Sequence, residues 1–310
     1  VSVVAVDDVW VGRWTGPALL SVGGDVRAAA GGGISDADIV RLGGVVLPGF
    51  CDSHVHLGLV DRAALASGGI ARVVDLGWEP TEVAGWASGA DERMPGVTFA
   101  GAFLTGVGGY PVGRSWAPDA AVRQLATVGD ARAAVAEMHG HAARFAKLVL
   151  HATSAAGESA GALSDEVAGA VVEEAHRLGL EGVAHAEGPG QAARALRLGV
   201  DRLAHTPWTE RLPDDLVAAM AGRMSWVSTL DIHGWGSPTP EHAVALDNLA
   251  RFAAAGGHVL YGTDLGNGPL PLGLNERELR ALLAAGLTVA QLLDALAPLP
   301  PHTPRSTIAR

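Results

Sequence analysis

One pattern constrains this chain more than any other. From Leu47 onward, apolar strand-like runs alternate with Ala-rich helical stretches, the βαβα order expected of a parallel sheet or barrel. The strand candidates are VLPGFCDSHVHL, IARVVDL, GVTFAGAFL, FAKLVLH, GVAHAE, RLAHT, SWVSTLD and HVLYGTD, and eight strands suit a closed (β/α)8 barrel of the TIM type. Between them, SDEVAGAVVEEAHRLGL reads as a helix with Ser164 as N-cap and Gly179 as its stop. HAVALDNLARFAAAGG reads as another, ended by Gly256 and Gly257. An open doubly wound sheet shares the alternation. Here, however, almost every strand candidate ends in or carries a His, Asp or Lys, and in barrels the reactive residues gather where strands pass into βα loops.

Residues 1–46 read differently. Short β segments, VSVVAVDDVWV, ALLSV and VRLGGVV, are separated by Gly-rich turns, GGD and AGGGISD. The expected organisation is therefore a small β element over 1–46 beside a barrel over 47–310. A chain of 310 residues suits one barrel of about 250 residues with an accessory element.

Composition narrows the partners. The formal net charge of −11 sets up a field that repels phosphate backbones and anionic lipid, so neither nucleic acid nor a membrane surface is expected. The 48% hydrophobic content can fill a large core. The single cysteine, Cys51, has no internal disulfide partner and reads as a packed core residue. No apolar run reaches the roughly 18 residues that cross a bilayer, and no basic region leads into an apolar segment at the start. A cytoplasmic protein acting on a small molecule is the expectation, with a homo-oligomer allowed.

The chemistry-bearing residues recur at strand ends. In Asp52-Ser53-His54-Val55-His56, the two-residue period of a strand puts His54 and His56 on one face, where two imidazoles can bind one metal. Alone, such a pair fits two polar residues at a strand end equally well. His185 in GVAHAEG and His205 in RLAHTPW end two consecutive later strands, however, and Asp264 ends the last in VLYGTDLGN. Lys147 sits inside the apolar run RFAKLVL, where an unpaired ammonium would be costly to desolvate.

This ordered set resembles the amidohydrolase superfamily, and within it the prolidase-like and imidazolonepropionase-like branch. The resemblance covers roughly residues 45–298 and rests on PGFCDSHVHL, FAKLVL, VVEEAHRLGLEGVAHAEG, GVDRLAHT and DNLARFAAAGGHVLYGTDLG, whose joint occurrence in order is specific where each piece is not. The resemblance implies two divalent metals, zinc being the usual ion. His54 and His56 would bind the first with Asp264, and His185 and His205 the second. Lys147, as a carbamate formed with CO2, would bridge both. It further implies hydrolysis of a C–N bond in an amide, cyclic amide or dipeptide by a metal-bridging hydroxide, with Asp264 shuttling the proton.

Other residues carry weaker expectations. Tyr110, in TGVGGYPVG, departs from the histidine that relatives often have in a GGH segment; it either touches substrate or anchors a Gly-rich loop. His151 and His233 follow the fourth and seventh strands and are candidates to contact substrate. Glu187 in HAE lies near substrate by the resemblance, or else serves as a helix N-terminal charge. Arg114, Trp116 and Trp235 are loop candidates to grip a carboxylate or a ring. His139, His141, His176 and His242 fall on helical segments and read as ordinary packing or surface histidines. Relatives continue after the last helix into strands of the flanking sheet, whereas here the sequence runs into PHTPRSTIAR, so either that flanking element is reduced or the protein continues beyond the residues given.

Three other functions compete. A lactonase or esterase could use the same binuclear site. A mononuclear deaminase or imidazolone-type hydrolase would use His54, His56, His185 and Asp264, but Lys147 would then be unexplained, and the position three after His185, where deaminases commonly carry an acid, is Gly188. A metal-free scaffold is the reading with least support, because every expected ligand type is present.

Overall fold

The computed structural model describes residues 2–22, 26–29, 35–65, 68–89, 94–152 and 161–298. By its contacts the chain forms two compact units, Val1–Gly49 with Ala297–Arg310, and Phe50–Leu296. The turn GGD, most of AGGGISD and the terminal PHTPRSTIAR lie outside the described residues.

The first unit holds strands β1 (Ser2–Val6), β2 (Asp8–Val9), β3 (Ala18–Val22), β4 (Val26–Ala28), β5 (Ile39–Arg41) and β6 (Val45–Val46). Four of them form a sheet in the order β4-β3-β1-β5, and β2 pairs with β6. The pairing of β1 with β3 is antiparallel and that with β5 parallel.

The second unit contains β7 (Phe50–Val55), β8 (Ile70–Asp75), β9 (Gly96–Phe99), β10 (Phe103–Gly106), β11 (Val122–Leu125), β12 (Phe145–His151), β13 (Glu181–Glu187), β14 (Arg202–Leu203), β15 (Ser225–Val227) and β16 (His258–Leu260). Its helices are α1 (Arg62–Leu65), α2 (Pro80–Ser88), α3 (Val128–Gly140), α4 (Asp165–Arg177), α5 (Gln191–Arg197), α6 (Asp214–Ala221), α7 (Pro240–Ala254), α8 (Glu276–Ala284) and α9 (Val289–Leu296). Strand ladders run parallel in the orders β7-β8-β9 and β11-β10-β12-β13-β14-β15-β16.

Backbone hydrogen bonds join these two ladders at both ends. Arg144, just before β12, donates to the Phe99 carbonyl of β9 at 2.9 Å, and Ser53 of β7 donates to the Tyr261 carbonyl just after β16, also at 2.9 Å. A parallel bridge between Val55 and Leu265 continues the second junction. The eight predicted strands thus follow one another in a ring, the arrangement of a (β/α)8 barrel.

Two details differ from the sequence reading. GVTFAGAFL is two strands, β9 pairing with β8 and β10 with β12, because Gly101 between them takes a left-handed φ of 79° and breaks the ladder. The ladders around β14, β15 and β16 also end before His205, Thr229 and Asp264, so these residues stand on the segments beyond the strands. Thr229 (φ 43°) and Asp264 (φ 57°) are left-handed without being glycine. Such backbone costs of order 1 kcal/mol or more and collects at functional sites.

Local signals hold where they are strong. Helix α4 begins after Ser164, whose Oγ accepts from the Val167 amide at 3.2 Å, and Gly179 follows its end at φ 75°. Helix α7 starts at Pro240 rather than at His242, because the Thr239 hydroxyl caps the His242 amide at 3.0 Å and proline suits the first helical turn. Trp226 of β15 stacks on Phe252 of α7 with ring centroids 3.9 Å apart, a buried contact that fixes helix against sheet.

Candidate metal centre

His54, His56, Lys147, His185, His205 and Asp264 all line one cavity of about 180 Å³, together with Tyr110, Glu187 and His233. Its floor begins on β7. The Asp52 carboxylate accepts from the His54 amide at 3.1 Å, the Thr263 amide at 3.0 Å and the Thr263 hydroxyl at 2.6 Å. This one buried side chain ties the segment bearing His54 to the segment bearing Asp264. Burial pushes its pKa up to about 7 despite those hydrogen bonds. The close approach also needs Gly262, where an added Cβ would stand 2.3 Å from Val227 Cγ1 and 3.0 Å from the His54 amide nitrogen.

Hydrogen bonds orient the imidazoles. His54 Nδ1 is 2.8 Å from the Ala204 carbonyl and His56 Nδ1 3.0 Å from the Gly77 carbonyl. A carbonyl only accepts, so each ring carries its proton on Nδ1 and presents a lone pair at Nε2. His205 Nδ1 pairs with the Thr229 hydroxyl at 3.1 Å, again freeing Nε2. His185 is reversed. Its Nε2 donates to Glu187 Oε2 at 2.9 Å, leaving Nδ1 as the free nitrogen. These are the partners that metal-ligating histidines require around them.

The free atoms converge. The Nε2 atoms of His54 and His56 each lie 3.2 Å from Asp264 Oδ1. That oxygen and His54 Nε2 are both buried, and neither takes part in a hydrogen bond, so the contacts are close but misaligned. Asp264 Oδ2 is occupied by Asn267 Nδ2 at 2.9 Å, which turns Oδ1 toward the imidazoles. Donor atoms of His54, His205 and Asp264 all lie within 4.8 Å of one another, and so do those of His151, His185 and Glu187. In the first set His54 Nε2 and Asp264 Oδ1 are unpaired, the arrangement a cation satisfies, whereas in the second Glu187 already accepts from His185.

Electrostatics agree with this geometry. Burial holds His54 and His205 well below the ordinary imidazole range, whereas the adjoining Asp264 carboxylate raises His56 against its burial. Burial opposes ionisation of Asp264, but its interactions with His54 and His56 outweigh it and hold the carboxyl well below the usual carboxylate range. Lys147, 1% exposed in the middle of β12, is the only lysine in the sequence. It has no hydrogen-bond or ion-pair partner among the described residues, and burial lowers its pKa from 10.5 to about 7.

The remaining sequence candidates divide. Tyr110 stacks between His151 (5.7 Å) and His185 (5.4 Å). His151 Nδ1 lies 3.2 Å from Glu187 Oε2, beside the cavity rather than in its lining. Trp116 lines the cavity; Trp235 does not, and its Nε1 donates to the Asn267 carbonyl at 3.2 Å. Arg114 is exposed, its guanidinium carbon 5.8 Å from the Tyr110 ring centroid. His139, His141, His176 and His242 lie outside the lining, and His176 pairs with Asp201 at 2.8 Å on the surface. The sequence candidates did not include Phe103, Val149, Trp208, Ile232 and Asn267, which also line the cavity. Only Trp208, three residues after His205, and Asn267, three after Asp264, carried a signal by adjacency.

A buried network holds the loop beyond β15. Glu278 of α8 accepts from the Leu230 and Asp231 amides at 3.0 and 2.8 Å, and Asp231 accepts from Asn275 Nδ2 at 2.7 Å and Arg277 Nε at 2.9 Å. The turn Asp231–His233 is thereby fixed with Ile232 and His233 in the cavity wall. Burial pushes Glu278 up to about 7, above the roughly 4.3 of an unfolded glutamate. The native state therefore binds this proton more tightly than the unfolded chain. Its contribution is complete below the unfolded value and is lost as pH rises through about 7, a span on the order of 3 kcal/mol. Thermal melts from about pH 6 to about pH 8 should fall more steeply for the native sequence than for Glu278→Gln; parallel slopes would refute this.

No family model and no curated protein matches the sequence. Solved structures do match in fold. A Xaa-Pro dipeptidase with bound methionine aligns at a TM-score of 0.72 and 17% identity over 95% of this chain and 86% of that one. An ochratoxinase from A. niger aligns at 0.73 and 19% over 95% and 82%, and an amidohydrolase at 0.72 and 22% over 95% and 85%. This chain shares the fold of these structures. Among its described residues, no helix is long and apolar enough to cross a membrane.

Proposed function

We propose that the protein is a metal-dependent hydrolase that cleaves a C–N bond in a small molecule, using two divalent metals, most suitably zinc. The observation that carries this reading is the unpaired convergence of His54 Nε2 and Asp264 Oδ1 beside Lys147, which is buried and has no hydrogen-bond or ion-pair partner among the described residues. The fold is shared with a Xaa-Pro dipeptidase and an amidohydrolase, which supports the same reading. His54, His56 and Asp264 would hold one metal, and His185 and His205 the other. Lys147 suits a bridge between them. A lysine whose pKa falls to about 7 supplies the neutral amine that reacts with CO2, and the carbamate turns an awkward buried cation into an anion with two oxygens.

Bound metals would supply Lewis acidity, lowering the pKa of water and polarising the scissile carbonyl. The chain's own residues supply the rest. Asp264, ionised and held by Asn267, accepts the proton of the attacking water as its oxygen adds to the acyl carbon. It then delivers that proton to the departing nitrogen as the C–N bond breaks. Products are an acid and an amine. Glu187 keeps the His185 ring in the tautomer that frees Nδ1, and the aromatic wall of Phe103, Tyr110 and Trp116 excludes bulk water.

The purified protein should carry about two divalent metals per chain, as a mixed imidazole and carboxylate donor set suits. Elemental analysis combined with a hydrolysis screen over N-acyl amino acids, dipeptides, lactams and lactones tests this. Activity that persists in protein free of metal, and that chelators leave untouched, would overturn it. A clear preference for lactones would move the reading to an esterase on the same site.

A further inference from the structure

The cavity above the ligand set has two aromatic sides. On one, Trp116 packs against Phe103 at 5.9 Å and Tyr110 at 6.0 Å between ring centroids; on the other, Trp208 packs against His233 at 4.9 Å. Both sides reach the ligand imidazoles. Phe103 lies 5.5 Å from His56, Tyr110 5.4 Å from His185 and Trp208 5.4 Å from His205. Anything occupying this space sits against ring faces and edges, which favour another ring in an offset or edge-on contact. The volume of about 180 Å³ compares with the roughly 150 Å³ of an apolar cavity that accommodates benzene. With the metals sharing that space, what is left beside them is the room of a single ring.

The charges in the lining are equally specific. Apart from Lys147, its basic side chains are histidines, and no arginine lines it among the described residues. His233 is kept neutral, burial having lowered it to about 4. Glu187 and Asp264 contribute negative charge. A carboxylate held away from the metals, in the distal part of this cavity, would lose its water without gaining a counter-charge from the described side chains of the lining, an unfavourable exchange in a low-dielectric site.

We infer that the cavity selects an uncharged, ring-bearing amide, such as an anilide, an arenecarboxamide or a lactam, and disfavours the same molecule when it carries a free carboxylate. The inference rests on the hydrolase reading above for the reacting amide, but the selectivity belongs to the aromatic walls. It also separates this chain from an enzyme built to grip the terminal carboxylate of a dipeptide.

The test uses pairs that differ only in that charge, 4-acetamidobenzamide against 4-acetamidobenzoate and N-benzoylglycinamide against N-benzoylglycine. Two quantities are measured on the purified metal-loaded protein: kcat/KM for hydrolysis, and affinity by calorimetry checked against quenching of tryptophan fluorescence. The carboxamide of each pair is expected to be favoured at least tenfold in both. Selective carboxamide binding without turnover would sustain the selectivity and sink the hydrolase reading. Equal or tighter binding of the carboxylates, or no binding of either member, overturns the inference. So does a carboxylate affinity that disappears in Arg114→Ala, since that would make the rim arginine the anchor. Trp116→Ala should weaken carboxamide binding about tenfold while leaving metal content unchanged, the loss of roughly one well-packed aromatic contact.

Discussion

Replacing Lys147 with alanine is expected to strip at least one metal from the protein and to lower turnover by about three orders of magnitude, roughly 4 kcal/mol of barrier. The size of the effect follows from position. Lys147 is buried in the middle of β12, in register with Phe103 of β10 and Val183 of β13, and its side chain faces the cavity rather than the outer surface. A free ammonium there would face a large desolvation cost with no direct partner. As a carbamate it would instead place an anion among the ligand set. Removing the side chain would leave the two proposed metal positions with nothing between them. Short carboxylates such as acetate or formate should restore part of both metal content and activity by occupying the vacated space.

The sequence makes this prediction unusually clean to read. Because Lys147 is the only lysine, protein equilibrated with 13C-bicarbonate should show one side-chain carbamate carbon resonance, absent from Lys147→Ala. A variant that keeps two metals and normal turnover would dispose of the bridge. So would a native protein that shows no such resonance while holding both metals.

The second large effect is expected at Asp264. Asp264→Asn should lower kcat by about two to four orders of magnitude while KM changes little, because a proton shuttle acts chiefly in the transition state. The substitution is nearly isosteric. The amide oxygen can still accept from Asn267, and the bond from Asp52 to Thr263 that supports the loop is untouched. Metal content should therefore fall less than activity. What asparagine lacks is the second anionic oxygen, the one 3.2 Å from both His54 and His56. Stopped-flow or steady-state kinetics on protein with verified metal content and thermal stability decides the matter. Unchanged turnover with both metals retained would remove Asp264 from the shuttle role.

Much of this molecule is written in local patterns. Short apolar runs mark the strands, the Ser164 and Gly179 signals bracket α4, and the two-residue period puts His54 and His56 on one face of a strand end. Lys147 betrays itself by contrast with its apolar neighbours. These features need only residues close along the chain, because strand alternation, capping and desolvation act over a few residues. The ring of eight strands was legible for the same reason, as the sum of repeated local units.

What the sequence could not contain is which distant backbone groups would meet the site. The carbonyls of Gly77 and Ala204, which set the tautomers of His56 and His54, belong to loops of other strands and have no side-chain signature. Thr229 reaches His205, and Asp52 reaches Thr263, only because the ring brings strand ends from opposite parts of the chain together. The aromatic walls are likewise a tertiary product. Phe103 and Trp208 stand on separate segments of the barrel, and only its curvature sets both against one cavity. The sequence by itself determined the fold class and the residue types of the centre, through periodicity and local polarity. The tertiary structure alone decided which nitrogen of each imidazole is free, where Asp264 points and what encloses the substrate, because those depend on contacts between loops far apart along the chain.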